Sequence, residues 1–204
     1  MFLIIVLVYI KFFRRLIISI AGDVVFFLRY DLRRRLISES LSQYLEYKKY
    51  PHYFTVGAAI QYCLDDAQLY CKGRGIDIGS GSYPFPGARP IEQSPHEDAL
   101  NICEIDSSLQ FVFSSHCLEH IPKEQWPLFF GECFRVLQPG GILYLYLPAR
   151  ASMFWSETNM TAHASVPRSL DVYQIAEYSG FHLLTSSTLP DIYCSTRHVF
   201  VKRQ

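Results

Sequence analysis

No uninterrupted apolar run in this chain is long enough to cross a bilayer. Residues 1–10 are all apolar or aromatic, but Lys11, Arg14 and Arg15 break the run well short of the roughly 18–20 residues a spanning helix needs. A secretory signal also fits poorly, because no basic residue precedes the run and no clean small-x-small site follows it. The six cysteines, at positions 63, 71, 103, 117, 133 and 194, contain no C-x-x-C pair and no metal-ligand spacing. No metal site is therefore expected, and reduced thiols in a cytoplasmic compartment are the default. Net charge is absent too, with 19 basic and 19 acidic residues. That zero hides an asymmetry: residues 1–35 hold seven basic against two acidic side chains, a balance of +5, so the remainder carries −5. An acidic body lacks the basic footprint that nucleic-acid binding requires.

What is present is organised around residues 74–92, RGIDIGSGSYPFPGARPIE. Arg74 to Ile78 reads as a short buried strand that runs directly into Gly79-Ser80-Gly81, where the chain can turn sharply and a ligand can approach the backbone. The third glycine of the dinucleotide pattern G-x-G-x-x-G is missing, and an acidic Asp77 beside the loop would repel phosphates. A nicotinamide-dependent oxidoreductase is disfavoured on both counts. An acid two residues before the first glycine suits a cationic ligand, with an ammonium or sulfonium to neutralise. Only about ten residues separate Gly81 from Ile91, among them Pro84, Pro86 and Pro90, so the crossover between the first two strands has a very short helix or none.

An acidic residue followed by x-G-x-G at the end of a first strand resembles the first motif of class I S-adenosylmethionine-dependent methyltransferases, here of the small type 11-like kind. The resemblance covers about residues 52–204. It implies a Rossmann-like α/β fold: a doubly wound, mostly parallel sheet with an antiparallel terminal strand. It implies that Asp77 organises the methionine end of S-adenosylmethionine while Gly79 and Gly81 make room for it. Glu92, at the end of a second strand Ala88 to Glu92, would hold both ribose hydroxyls, since a carboxylate offers two acceptors to a diol. Asp98 and Ala99, in the D-A-L-N tract, would meet the adenine edge. Leu109 to Phe113 reads as a buried strand ending in S-S-H-C-L-E-H-I, which resembles the fourth-strand motif of the family; Ser114 and His116 would line the transfer cleft. His120 reads as a structural histidine, with a chemical role the alternative. The three carboxylates, Asp77, Glu92 and Asp98, are expected to converge on one cavity floored by the glycine turn.

Lys123 to Leu137 has the spacing of an amphipathic helix, and RVLQPGGILYLYLP leads into a strand over Ile142 to Leu147. Pro148 to Val166 reads as a polar substrate loop that contains His163. A helix over Ser169 to Ser179, closed by Gly180, then precedes two terminal strands, Phe181 to Ser187 and Arg197 to Lys202. If the acceptor is a hydroxyl, a base must take its proton, and His116 and then His163 are the candidates. The resemblance implies a small-molecule, glycan or lipid-linked acceptor, modified at oxygen.

Outside the resemblance, residues 1–50 form a helical extension, with Lys11, Arg14, Arg15, Arg29 and Arg33 on one side and Phe13, Ile17, Ile20, Val24 and Phe27 on the other. Three readings stay open: peripheral contact of residues 1–35 with an anionic cytoplasmic membrane face, packing on protein, or a membrane anchor. A second functional reading also stays open, in which residues 51–204 keep the fold but serve as a non-catalytic, membrane-associated partner subunit.

Overall fold

The computed structural model describes residues 59–149, 163–187, 189–191 and 195–203. The chain divides into two units at Gly57 and Ala58, and every described residue belongs to the second. The expected amphipathic helix at the amino terminus, the loop at residues 52–57 and the middle of the substrate loop lie outside the described residues.

Six strands form one sheet. In chain order they are β1 (Gly75–Ile78), β2 (Arg89–Ile91), β3 (Leu109–Ser115), β4 (Leu137–Pro148), β5 (Phe181–Ser186) and β6 (Ser195–Lys202), set side by side as β2-β1-β3-β4-β6-β5. The first four run parallel, whereas β6 is antiparallel to both β4 and β5. This is the mostly parallel α/β sheet with an antiparallel closing pair that the resemblance implied. β1 and β2 are joined by a turn-rich segment without a helix, as the short proline-rich spacing requires. The alternation within β1 sends Ile76 and Ile78 to one face and Asp77 to the other.

Among the described residues three α-helices accompany the sheet: α1 (Ile60–Tyr70), α2 (Trp126–Val136) and α3 (Ser169–Tyr178). α2 begins with Pro127 in its first turn, where a missing amide costs nothing. Its Trp126, Phe129, Phe130, Cys133 and Val136 pack with Ile76, Ile78, Val112, Leu143 and Phe200 as the main core. Each of those side chains is almost fully buried and contributes on the order of 1.5–3 kcal/mol. On the opposite face Phe85 packs edge-on to Phe111 and tilted against Phe113, and Phe113 stacks on Tyr144. Tyr144 donates to Asp66 of α1 at 2.9 Å, and Asp66 also pairs with Arg197 of β6.

Lys202 closes the far end of the sheet. Its Nζ donates to the carbonyls of Phe134 and Leu137 at 2.7 and 2.6 Å and sits over the Phe134 ring, so a cation meets the open carbonyls at the end of α2.

Candidate functional site

The carboxyl ends of β1, β2 and β3 meet at the glycine turn. Gly79 and Gly81 have φ of 72° and 55°, a region that side chains rarely adopt. An added Cβ on Gly79 would lie 2.7 Å from Cys117 Cβ, whereas on Gly81 it would meet nothing within 4 Å. The first glycine is thus a packing requirement, and the second keeps a space open. Gly79 donates to the Ile91 carbonyl at 2.9 Å, which brings Glu92 across the turn. There its carboxylate accepts from the Gly81 amide and, at 2.9 Å, from the Ser80 hydroxyl.

That space is a cavity of about 480 Å³, within the range of small-molecule sites. Gly79, Gly81, Glu92, Asp98, Ala99 and His116 all line it. The structure therefore brings together six of the nine residues singled out in the sequence. Asp98 accepts from the Leu100 amide at 2.7 Å, an Asx turn that fixes the segment. Tyr83 and the nearby prolines do not line the cavity, so the residue in place of the third glycine leaves it clear.

Two of the acids expected there arrive; the third does not. Asp77 does not line the cavity, because it points to the face opposite Ile76 and Ile78, where it is almost wholly buried. Its Oδ2 accepts from the Phe85 amide at 2.7 Å, while Oδ1 is buried without a hydrogen bond. Burial pushes the carboxyl up to about 7, the Phe85 amide draws it back, and the nearby negative charge of Glu92 raises it further. Ser114 is also absent from the cavity wall: it is fully buried and its hydroxyl donates to the Ile78 carbonyl at 3.0 Å, tying β3 to β1.

His116 has φ of 52°, rare for a residue with a side chain. Its amide donates to the Tyr146 carbonyl at 2.9 Å, its Nδ1 lies 3.1 Å from Glu119 Oε1, and its Nε2 lies 2.8 Å from Ser195 Oγ. Ser195 is the first residue of β6, and nothing in the sequence pointed to it. Glu119 stands in the S-S-H-C-L-E-H tract, where its signal was the tract itself. His163 lies outside the cavity wall and packs edge-on to His120 with ring centres 5.0 Å apart. Burial lowers the His163 pKa, Glu119 opposes that shift, and His120 and His116 reinforce it.

Residues 57–145 match the family model described as a methyltransferase domain. Over that stretch the chain is similar to a methyltransferase domain. Its fold is shared with a methyltransferase from Thermotoga maritima, at a TM-score of 0.58 and 15% identity over 83% of this chain and 99% of that one. It is shared also with a chain of the Haloferax volcanii complex with the Trm112 methyltransferase activator, at a TM-score of 0.59 and 12% identity over 72% and 89%. The phosphoethanolamine N-methyltransferase 2 of Haemonchus contortus, solved with S-adenosyl-L-methionine, aligns at a TM-score of 0.51 and 15% identity over 66% and 50%. No curated protein matches the sequence. The fold expected from the glycine motif is thus found, and the family match spans every cofactor candidate but ends before His163.

Proposed function

We propose that this methyltransferase domain binds S-adenosylmethionine across the glycine turn and transfers its methyl group to the oxygen of a small-molecule, glycan or lipid-linked acceptor. The observation that carries the reading is the open, positive-φ turn at Gly81, facing a cavity whose other walls present Glu92 and Asp98. The acceptor set on the cavity wall fits the group: Glu92 can accept from a vicinal diol and Asp98 from an exocyclic amine. When bound, the cofactor supplies an electrophilic methyl that needs no covalent enzyme nucleophile, so positioning provides much of the rate.

The residues of this chain then have separable tasks. The Glu119 carboxylate beside Nδ1 orients the His116 ring. Nε2 contacts the Ser195 hydroxyl, which fixes the ring where His116 lines the cavity as the base for an acceptor proton. His163, outside the cavity wall, is no longer the second base in this reading. The basic periodicity of residues 1–35 supports peripheral contact with an anionic cytoplasmic membrane face, where a lipid-linked acceptor would be at hand.

Calorimetric titration with S-adenosylmethionine tests the cofactor, and transfer of a labelled methyl to fractionated glycan and lipid pools tests the acceptor. Micromolar binding that falls at least tenfold in Glu92→Ala, with label entering one pool, is expected. Binding without transfer to any pool would favour the non-catalytic partner subunit instead.

A further inference from the structure

We propose that Glu119, His120 and His163 bind a divalent transition-metal cation at the edge of the cavity. Glu119 is fully buried, yet neither of its carboxylate oxygens accepts a hydrogen bond of ordinary geometry among the described residues, although His116 Nδ1 lies 3.1 Å from Oε1. A buried carboxylate without donors is costly, and a cation is what commonly satisfies one.

The local fold brings to that carboxylate, beside its sequence neighbour His120, a second imidazole from a distant part of the chain, His163. The amides of Ala164 and Ser165 donate to the Glu119 carbonyl at 2.8 and 3.1 Å, which fastens the segment carrying His163 onto the short 3-10 turn Leu118–His120. One ligand atom from each of Glu119, His120 and His163 lies within 4.8 Å of the others. Ligand atoms around a tetrahedral zinc with bonds of about 2.0–2.1 Å stand roughly 3.4 Å apart, so side-chain rotation alone would close the set. Two imidazoles and one carboxylate suit zinc, cobalt or manganese better than magnesium or calcium, and three protein ligands leave a coordination position open. His120 also lines the cavity, so the cation would stand at its edge. Resting on the methyl-transfer reading, an acceptor hydroxyl coordinated there would release its proton to His116 more readily, and its oxygen would bond the methyl as the methyl–sulfur bond breaks and S-adenosylhomocysteine leaves.

This site is independent of the cysteine pattern that argued against zinc, and the probe must keep the two apart. Cobalt(II) alone, titrated into the full-length chain, gives weak visible bands on imidazole and carboxylate ligands and an intense near-ultraviolet band on thiolates. One equivalent bound without the thiolate band is expected, with affinity falling tenfold or more in Glu119→Gln and in His163→Ala. His163→Ala, at a half-buried position, keeps the test decisive should the buried Glu119 variant fail to fold. No binding, binding indifferent to His163→Ala, or a thiolate band would overturn the proposal. S-adenosylmethionine titrated into the same preparation separates the two readings: cofactor binding without cobalt binding would sink the metal site and leave the methyltransferase standing.

Discussion

At the scale of single residues, the two glycines of one turn have different reasons to be glycine. Gly79 packs against Cys117 at a distance no Cβ tolerates, whereas Gly81 faces open space. Both have positive φ, so an alanine costs about 1–2 kcal/mol at either position before any clash. Gly79→Ala is therefore expected to lose far more stability, read as the drop in Tm. Gly81→Ala is expected to lose only that strain, while its methyl group fills the cavity floor and weakens S-adenosylmethionine binding at least tenfold. Unchanged affinity in Gly81→Ala would mean that the turn is not the floor of the site. The turn itself was legible because glycine spacing is a local signal. The Glu119 and His163 cluster was not: its members are far apart in sequence, and His163 reaches Glu119 through backbone hydrogen bonds that no side-chain pattern announces.

At the scale of elements, the strands were readable because apolar runs bounded by glycine and proline mark them, and β2, β5 and β6 begin or end within two residues of expectation. β4 is longer than expected: Gln138-Pro139-Gly140-Gly141 reads as a break, but Leu137 already pairs with Leu109 ahead of an irregularity in the register. The segment between β2 and β3 forms no named strand or helix and is held by charge instead. Arg89 grips Glu97 through two hydrogen bonds of 2.7 and 2.8 Å and reaches Glu104 at 2.8 Å, while Arg135 takes the carbonyls of Ile102 and Glu104. The Arg89 hydrogen bonds hold Glu97 below the usual carboxylate range, burial notwithstanding. These contacts position Asp98 and Ala99. Arg89→Met is expected to cost about 1–2 kcal/mol, given its partial exposure, and to weaken cofactor binding through the adenine side. Amide hydrogen exchange over residues 94–104 should quicken while the β4 and β6 amides stay protected. Equal quickening everywhere would show Arg89 to be a general stabiliser and not a local clamp.

At the scale of the whole molecule, Asp77 answers to the sheet it is buried in and not to the cavity. The sequence identified the residue but placed it in the cavity, because a motif records which side chain is present and not which face of the strand carries it. Buried with one oxygen unpaired and titrating at about 7, Asp77 is ionised in the folded chain only near and above neutrality. Its folded pKa exceeds that of the unfolded chain, so its contribution to stability is most favourable below about pH 4. That contribution falls as pH rises and is fully lost above about pH 7, a span on the order of 4 kcal/mol. Because the carboxyl lies off the cavity wall, affinity for a cationic cofactor is expected to change little over that pH range. Asp77→Asn removes the charge at near-constant shape. Its Tm is expected to exceed that of the unaltered chain at pH 8 and to lose that advantage by pH 4, with S-adenosylmethionine binding retained at both. A Tm gap independent of pH would mean that Asp77 does not titrate in the fold. A variant that loses the cofactor would mean that the buried acid serves the site as well as the sheet.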